Sequence, residues 1–370
     1  MVLADDRLAV AFNSGSGLKL LRALVENPMG PADFTETVID PDGAINGAHS
    51  LASRSNELYV VYYKFNAGTG EYDSLWFARA LTGNPTGPAD WVRYQLAAPA
   101  YMTGYGEALA AFEEGVVWGS AATTPSSPGK AVLVVSWLAD PGSSTGIGDW
   151  SQHEVAIPDA SVAGACEFRL VEGTLYALMT KFSSENTGGI WLARSLSYPP
   201  EGPEDWEPFP IDNQGEFGLA QGATAIINGR FAVLYQRGSS VSRAGWIGLA
   251  GDNHPGESSI WTRKALPTDD TANTFGATVA ISGGRAAIAY TADADFFSPR
   301  PTRGDLVLLR QTGADPADGS AATWVRTVVD AEGATGYQAI IGTLADGRLA
   351  IAYANLTSGR FRLAIAQGPY

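Results

Sequence analysis

The 370-residue sequence predicts an all-β propeller of four-stranded blades, with seven blades favoured and six as the alternative count. Three observations predict this fold class. One short apolar string recurs along the whole chain at intervals of roughly 50–63 residues, a spacing that suits one blade with generous loops. Each copy is followed by the same succession of turn, strand, long loop and aromatic residue. Gly (43 residues) and Pro (21) are spread evenly, as many turns between short strands require.

The recurring string predicts the second strand of each blade, counted outward from the innermost one. It reads GRLAIAY at 347–353, and its relatives lie at 7–12, 58–62, 116–118, 175–179, 230–235 and 285–290. Runs of five to seven residues rich in Val, Ile, Leu and Tyr between turn residues are typical of strands. A third strand is predicted after each copy, at 18–24, 75–81, 132–138, 190–196, 246–250, 306–309 and 363–366.

The two ends of the chain decide the blade count. Residues 1–3 match only the tail of an innermost strand, and the last repeat stops at Tyr370, where an outermost strand would begin. Complete innermost strands number six, whereas second strands and third strands each number seven. Since seven of each cannot fit into six four-stranded blades, seven blades are favoured. With no break in composition, residues 1–370 are expected to form a single β-propeller domain.

Composition restricts the partners. A net charge of −15 disfavours nucleic acid, because an acidic surface repels phosphate backbones, and it disfavours adsorption to anionic membranes. No apolar run approaches the roughly 18–20 residues that span a bilayer, so no membrane insertion is expected. The sequence contains one cysteine, Cys166, and three histidines, which disfavours a Cys or His metal site; no metal and no cofactor is expected.

The sequence is compatible with more than one cellular compartment. The first residues lack the basic start and apolar core of a signal peptide. The protein is therefore either cytoplasmic or, if a leader was removed, secreted or at the cell surface.

The repeat resembles that of β-propeller proteins found among bacterial surface and secreted proteins, near the sialidase-like superfamily. The residues that carry the resemblance are Gly304-Asp305-Leu306, Trp324, the segment 329–333 and the string at 348–353. The sialidase Asp-box, Ser-x-Asp-x-Gly-x-x-Trp, occurs in no repeat, and neither does an Arg-Ile-Pro triplet. The resemblance implies a fold and leaves the activity open.

Several repeated residues are expected to be structural. An aromatic residue opens the outermost strand of six repeats and is expected to pack between sheets: Phe34, Trp91, Trp150, Trp206, Trp261 and Trp324. Asp33, Asp90, Asp149 and Asp205 precede four of these aromatics, and a short tether to third-strand arginines such as Arg22 would close the long loop. Asp-x-x-Gly links begin at Asp40, Asp212 and Asp330, where an Asx-turn is favoured over a Ca²⁺ site.

The starts of the innermost strands are the least repetitive part of the unit and supply the candidate site. Structural positions in a repeat tend to keep their residue type, so chemical variety there hints at a specialised site; the alternative is a polar lining of a water-filled channel. Phe296 and Phe297, in the longest loop between second and third strands, add an apolar contact. The candidate residues are His49, Tyr105, Glu107, Glu167, Gln221, Thr278, Phe296, Phe297, Tyr337 and Gln338.

The favoured function is non-catalytic binding of a glycan, a small molecule or a protein at the channel mouth. One alternative is a glycoside hydrolase or lyase that uses Glu107 and Glu167 as an acid/base pair. Another is a structural module of a larger surface assembly. Nothing in the local sequence activates His49 as a base or Cys166 as a nucleophile.

Overall fold

The structure is a computed structural model, and it describes most of the chain. The described ranges are 1–14, 17–41, 49–66, 71–97, 108–123, 131–158, 162–182, 188–213, 224–239, 242–268, 275–292, 303–313, 315–316 and 323–369. They contain 27 β-strands, and their helical segments are 3₁₀ turns of three residues each. No helix within these ranges is long and apolar enough to cross a membrane.

Seven sheets follow one another along the chain, and each is one blade. Six sheets have four strands and the seventh has three, always in the order of the chain. The fold class is an all-β, seven-bladed propeller, which confirms the favoured count. The ends match the prediction: the first innermost strand has only three residues, and the seventh blade ends after its third strand in the part that the structure describes.

The chain divides into two compact units, which are described separately. The first is Met1–Ser183 with Ala193–Pro208, and the second is Ser184–Leu192 with Phe209–Tyr370. A single domain over residues 1–370 remains a prediction. Blades 1 to 3 lie in the first unit; their strands are β1 Val2–Ala4, β2 Arg7–Asn13, β3 Leu18–Ala23, β4 Phe34–Asp40; β5 His49–Arg54, β6 Glu57–Asn66, β7 Glu71–Ala80, β8 Trp91–Ala97; β9 Ala108–Phe112, β10 Gly115–Thr123, β11 Ala131–Leu138, β12 Ser151–Ala156.

Blade 4 contributes strands to both units, and blades 5 to 7 lie in the second. Their strands are β13 Val162–Val171, β14 Thr174–Phe182, β15 Gly188–Ser195, β16 Trp206–Asp212; β17 Thr224–Ile227, β18 Arg230–Ser239, β19 Ser242–Leu249, β20 Thr262–Ala265; β21 Phe275–Ser282, β22 Arg285–Ala292, β23 Asp305–Gln311, β24 Trp324–Asp330; β25 Tyr337–Thr343, β26 Leu349–Asn355, β27 Arg360–Ile365.

Successive connections alternate between the two ends of each blade, because the strands are antiparallel. The turns from first to second strand and the loops from third to fourth strand lie at one end, called here the turn end. The loops from second to third strand and the links to the next blade lie at the other, called here the link end. Turns at the turn end are tight: Asn228 and Gly229 have φ of +52° and +71°, the pair of positive angles that a type I′ hairpin requires.

The hydrophobic core lies between consecutive sheets. Between blades 1 and 2, Leu20, Ile39 and Val60 are fully buried in one cluster, and Tyr59, Phe77 and Trp118 form its counterpart between blades 2 and 3. In the second unit, similar clusters fill the spaces between blades 5 and 6 and between blades 6 and 7. A sheet with two apolar faces becomes stable only when neighbours cover both, which is why the repeat cannot stand alone.

Of the six aromatic residues at the starts of the outermost strands, four are buried, as expected for a structural role, whereas Phe34 and Trp261 are half-buried. Trp91, Trp150, Trp206 and Trp324 are at most 7% exposed. Two of them are tied to the preceding blade: Trp150 Nε1 donates to Tyr94 Oη at 3.0 Å, and Trp206 Nε1 donates to His153 Nε2 at 2.8 Å. Tyr94 and His153 each lie three residues after the aromatic position of their own blade, so the same device recurs.

The repeated aspartates before these aromatics are also structural, but their partners differ from the predicted arginines. Asp33 Oδ2 accepts the backbone N–H groups of Met29 and Gly30, at 2.7 and 3.1 Å. Asp149 and Asp205 repeat this arrangement, and those backbone hydrogen bonds lower the pKa of both carboxyls. Arg22 instead donates to the carbonyl oxygens of Ala4 and Gly83. The carboxylate caps its own 3₁₀ turn because those N–H groups lie within reach, whereas the arginine reaches the next blade.

Candidate functional site

Five of the ten candidate residues lie within the described ranges, and all five are on innermost strands. His49 opens β5, Glu167 lies in the middle of β13, Thr278 lies within β21, and Tyr337 and Gln338 open β25. The other five, Tyr105, Glu107, Gln221, Phe296 and Phe297, lie outside the described residues. The separation of the Glu107 and Glu167 carboxylates is therefore not defined.

His49 is anchored on the preceding blade. Its Nε2 lies 2.8 Å from the carbonyl oxygen of Ala11, and because a carbonyl can only accept, Nε2 carries the proton in this contact. The ring is half-buried at the link end of blade 2. This hydrogen bond fixes the orientation of the imidazole and limits its use as a general base through Nε2.

Thr278 joins two innermost strands. Its Oγ1 accepts the N–H of Ile341 at 3.0 Å and donates to the carbonyl oxygen of Ala339 at 3.3 Å, both in blade 7. Ser50 in blade 2 makes the equivalent contact: its Oγ accepts the N–H of Leu109 in blade 3 at 3.1 Å. Ser50 and Thr278 pair with equivalent second-strand residues, Val61 and Ala289. A hydroxyl at this register position therefore hydrogen-bonds to the innermost strand of the next blade.

Glu167 occupies the same register position in blade 4, opposite Leu178, next to a β-bulge at residue 166. Its carboxylate is 24% exposed and lies 3.7 Å from Arg169 NH2. Tyr337 is buried and donates to the carbonyl oxygen of Arg303 at 3.2 Å, which makes it a support for the loop before β23. Gln338 is exposed, with a φ of +53° at the bulge of β25. Glu167 and Gln338 are therefore the described candidates that present polar groups to solvent.

His49 belongs to a row of residues that crosses all four strands of blade 2. Tyr62 lies opposite His49, Trp76 opposite Tyr62, and Gln95 opposite Trp76. Side chains of directly paired residues project from the same face of a sheet. Because His49 and Tyr62 both contact blade 1, this row faces the junction between blades 1 and 2 at the link end.

A charged and aromatic cluster lies at that junction, and we call its residues Asp40, Tyr62, Lys64, Trp76 and Arg93 the junction 1/2 cluster. Asp40 ends the outermost strand of blade 1, and its carboxylate is 1% exposed. Tyr62 Oη donates to it at 2.6 Å, Lys64 Nζ lies 2.8 Å away, and Arg93 NH1 lies 3.3 Å away. Lys64 Nζ also lies 4.0 Å from the centroid of the half-buried Trp76 ring, within cation–π range.

The second unit repeats this arrangement where blade 5 meets the end of β16, in the junction 4/5 cluster of Asp212, Tyr235, Arg237, Trp246 and Arg263. Asp212 is 3% exposed; Tyr235 Oη donates to it at 2.9 Å, and Arg237 NH1 lies 3.9 Å away. Burial and the Asp212 carboxylate raise the pKa of Tyr235 well above its ordinary value, so the phenol remains a donor. Arg237 lies 4.8 Å above the half-buried Trp246 ring.

The outer-strand arginines of the two clusters also match. Arg93 NH1 donates to the carbonyl oxygen of Ile39 at 3.2 Å, and Arg263 Nε donates to that of Ile211 at 2.7 Å. In each case the carbonyl belongs to the residue just before the buried aspartate. The two clusters therefore match in residue type at all five positions, with Lys64 and Arg237 as the conservative exchange.

A third junction, between blades 6 and 7, keeps the Tyr–Asp pair but changes its surroundings. Tyr353 Oη donates to Asp330 Oδ2 at 2.8 Å, and burial together with that carboxylate raises the pKa of Tyr353 to about 12. Opposite Tyr353 lies Arg362 in place of a tryptophan. Arg362 binds Asp330 at 2.7 Å and Glu332 at 2.9 Å. We call Asp330, Glu332, Tyr353 and Arg362 the junction 6/7 cluster.

The link aspartates thus serve as anchors for tyrosines and cations of the next blade. The two matched clusters have a sequence signal of their own, which does not lie at the varied positions on the innermost strands. Blades 2 and 5 share Tyr-x-Lys/Arg on the second strand, a Trp on the third and Trp-x-Arg on the fourth, after an Ile-Asp in the preceding blade. These residues are common to two blades, whereas the candidate positions on the innermost strands vary from blade to blade.

Comparison with known proteins supports the fold. No protein-family model matches the chain, and no curated protein matches its sequence. Among solved structures, the α-L-arabinanase of Penicillium chrysogenum complexed with arabinobiose has a TM-score of 0.52 at 12% identity, covering 86% of this chain and 92% of its own. The neuraminidase-like protein of subtype N11 from A/flat-faced bat/Peru/033/2010 (H18N11) has a TM-score of 0.51 at 11% identity, covering 100% of this chain and 98% of its own.

The phage phi92 endosialidase has a TM-score of 0.54 at 11% identity, covering 80% of this chain and 62% of its own. At such identities the likeness concerns the fold alone. It confirms the fold-level resemblance to sialidase-like propellers that the repeat suggested.

Proposed function

We propose that this chain is a non-catalytic glycan-binding propeller whose binding residues lie at the link end of its blades. The observation that carries the proposal is the pair of matched clusters, each with a half-buried tryptophan beside partly exposed cations. Sugar rings have apolar faces that pack on aromatic rings, while their hydroxyls need nearby polar groups. Aromatic and charged side chains held together by a buried aspartate meet both needs.

The fold neighbours favour a glycan over the other partner classes. Of the three structures described above, one is named an arabinanase and one an endosialidase, and the third is called neuraminidase-like. The candidates from the innermost strands belong to the same proposal. Glu167 and Gln338 offer polar groups on the innermost strands, and Tyr105, Glu107, Gln221, Phe296 and Phe297 join them by sequence position.

A glycan array tests the proposal. We expect the intact protein to bind a subset of the glycans, and the double variant Trp76→Leu/Trp246→Leu to lose that binding, because leucine keeps an apolar side chain but removes the aromatic face. Arg285→Glu is the matched control, since Arg285 is exposed at the turn end. Thermal melting of each variant confirms that it is folded. Binding that the tryptophan double variant retains, or a complete lack of array binding by the intact protein, would contradict the proposal.

Glycoside hydrolysis is the competing outcome. The bound glycans are incubated with the protein, and the release of new reducing ends is measured. We expect none, either with the intact protein or with Glu167→Gln. Reducing ends that accumulate with the intact protein and vanish with Glu167→Gln would make the chain an enzyme instead.

A further inference from the structure

The junction 1/2 cluster carries an excess positive charge. Two cations, Lys64 and Arg93, lie 2.8 and 3.3 Å from the single carboxylate of Asp40. That carboxylate is 1% exposed, whereas the side chains of Lys64 and Arg93 are 18% and 25% exposed. One cation balances the aspartate, so the described side chains of the cluster sum to a charge of +1, and both cations are partly exposed beside Trp76.

The junction 4/5 cluster has the same charge. Arg237 NH1 lies 3.9 Å from the carboxylate of Asp212, which is 3% exposed, while Arg263 Nε donates to the neighbouring carbonyl oxygen of Ile211. Arg237 is 27% exposed, and Arg263 is exposed. The chain as a whole has a net charge of −15. Positively charged clusters at equivalent positions in both units are therefore opposite in sign to the net charge of the protein.

The junction 6/7 cluster has the same Tyr–Asp pair but neither the second cation nor the tryptophan. Its one cation, Arg362, is bound by two carboxylates, Asp330 and Glu332. Although burial opposes ionisation of Asp330, hydrogen bonds from the Glu332 N–H and from Arg362 hold the pKa of this carboxyl below its ordinary value. The cluster therefore has a net charge of −1 at neutral pH, and Arg362 occupies the place of the tryptophan.

We propose that the junction 1/2 and junction 4/5 clusters are two matched sites for an anionic saccharide, one that carries a carboxylate or a sulfate. The inference rests on the proposed function and names its ligand class. The tryptophan packs against the sugar ring. Lys64 in the junction 1/2 cluster and Arg263 in the junction 4/5 cluster pair with the acidic group, an interaction stronger than a neutral hydrogen bond. The junction 6/7 cluster does not bind this ligand, because its charge repels it and it has no ring to pack on.

The test compares acidic saccharides with neutral counterparts: oligogalacturonides with their methyl esters, and 6-sulfated lactose and sialyllactose with lactose. Titration calorimetry is run on the intact protein. We expect acidic members to bind with a stoichiometry of two and their affinity to fall about tenfold or more between low and high salt, because added ions screen a partly exposed pair. We expect neutral partners to bind at least about tenfold more weakly.

Four variants assign the sites. Lys64→Met and Arg263→Gln each remove one charge from one cluster, and each is expected to reduce the stoichiometry from two to one. Trp246→Leu provides a second, uncharged change at the junction 4/5 cluster, and Arg362→Met at the junction 6/7 cluster is the control that leaves the stoichiometry at two. A melting curve accompanies each titration, and the exposed Arg263 supplies a variant that does not disturb a buried carboxylate.

The outcomes separate this inference from the proposed function. Neutral saccharides that bind as tightly as acidic ones, with binding lost in Trp76→Leu/Trp246→Leu, would overturn the inference and keep glycan binding. Acidic binding that Arg362→Met abolishes, or that Lys64→Met and Arg263→Gln both leave at two sites, would overturn the site assignment. No binding of any saccharide would overturn both.

Discussion

Replacing Trp206 tests whether the blade-opening tryptophans hold neighbouring sheets together. Trp206 is 5% exposed, and its Nε1 donates to His153 Nε2 of the preceding blade at 2.8 Å. Truncating a fully buried large aromatic to alanine costs about 3–5 kcal/mol. We therefore expect Trp206→Ala to lower the free energy of unfolding by that amount in urea titration. A variant with unchanged stability but lost glycan binding would refute the structural role.

Phenylalanine at position 206 separates packing from hydrogen bonding. Trp206→Phe keeps most of the apolar contact but leaves His153 Nε2 without its donor, which costs about 1–3 kcal/mol. In the folded protein Nε2 must be unprotonated to accept, and burial lowers the pKa of His153 below its ordinary value, although Asp205 and Glu204 partly offset this. The unfolded chain thus binds the proton more readily than the folded one.

The sign of the pH dependence follows from that difference. Stability from the Trp206–His153 pair is complete above the unfolded-state pKa of about 6.5, and it is lost as the pH falls below that value through the lower folded-state pKa. We expect Trp206→Phe to cost more at about pH 7.5 than at about pH 5. Trp150→Phe is the matched control, because its acceptor is Tyr94, whose pKa is raised and which does not titrate in this range. Equal pH dependence in both variants would rule out His153 as the cause.

Substitutions at three further positions probe the contacts between strands and blades. Thr278→Val should lower the unfolding free energy by about 1–3 kcal/mol by leaving the Ile341 N–H without its acceptor, and Thr278→Ser should restore most of it in the same urea titration. Gly336→Ala should reduce the melting temperature, because Gly336 has a φ of +83° and a Cβ there would lie 2.9 Å from Leu306 Cα; an unchanged melting temperature would show that the backbone relaxes. Arg22→Met should destabilise by about 1–3 kcal/mol by leaving the carbonyl oxygens of Ala4 and Gly83 without their donor, and a loss confined to glycan binding would contradict this role.

The two matched clusters form from residues of neighbouring blades that are far apart in the sequence. Asp40 lies 24 residues before Lys64 and 53 before Arg93, so no local pattern joins these three side chains. The sequence also did not show the inter-blade contacts of the candidate residues on the innermost strands. Chemical variety predicts that Thr278 and His49 belong to a binding site, yet in the structure each hydrogen-bonds to a neighbouring blade.

The sequence by itself determined the seven blades, the strand order and the buried aromatics, because these depend on residues close together in the chain. Alternating apolar residues, turn glycines and a repeated tryptophan act within one strand or one hairpin, and the repeat multiplies the signal. The tertiary structure decided which polar side chains meet, namely that Asp40 gathers Tyr62, Lys64 and Arg93 while Asp330 shares one arginine with Glu332. The physical reason is that such contacts cross from blade to blade, and they depend on the register and facing of two sheets that the local sequence of neither one specifies.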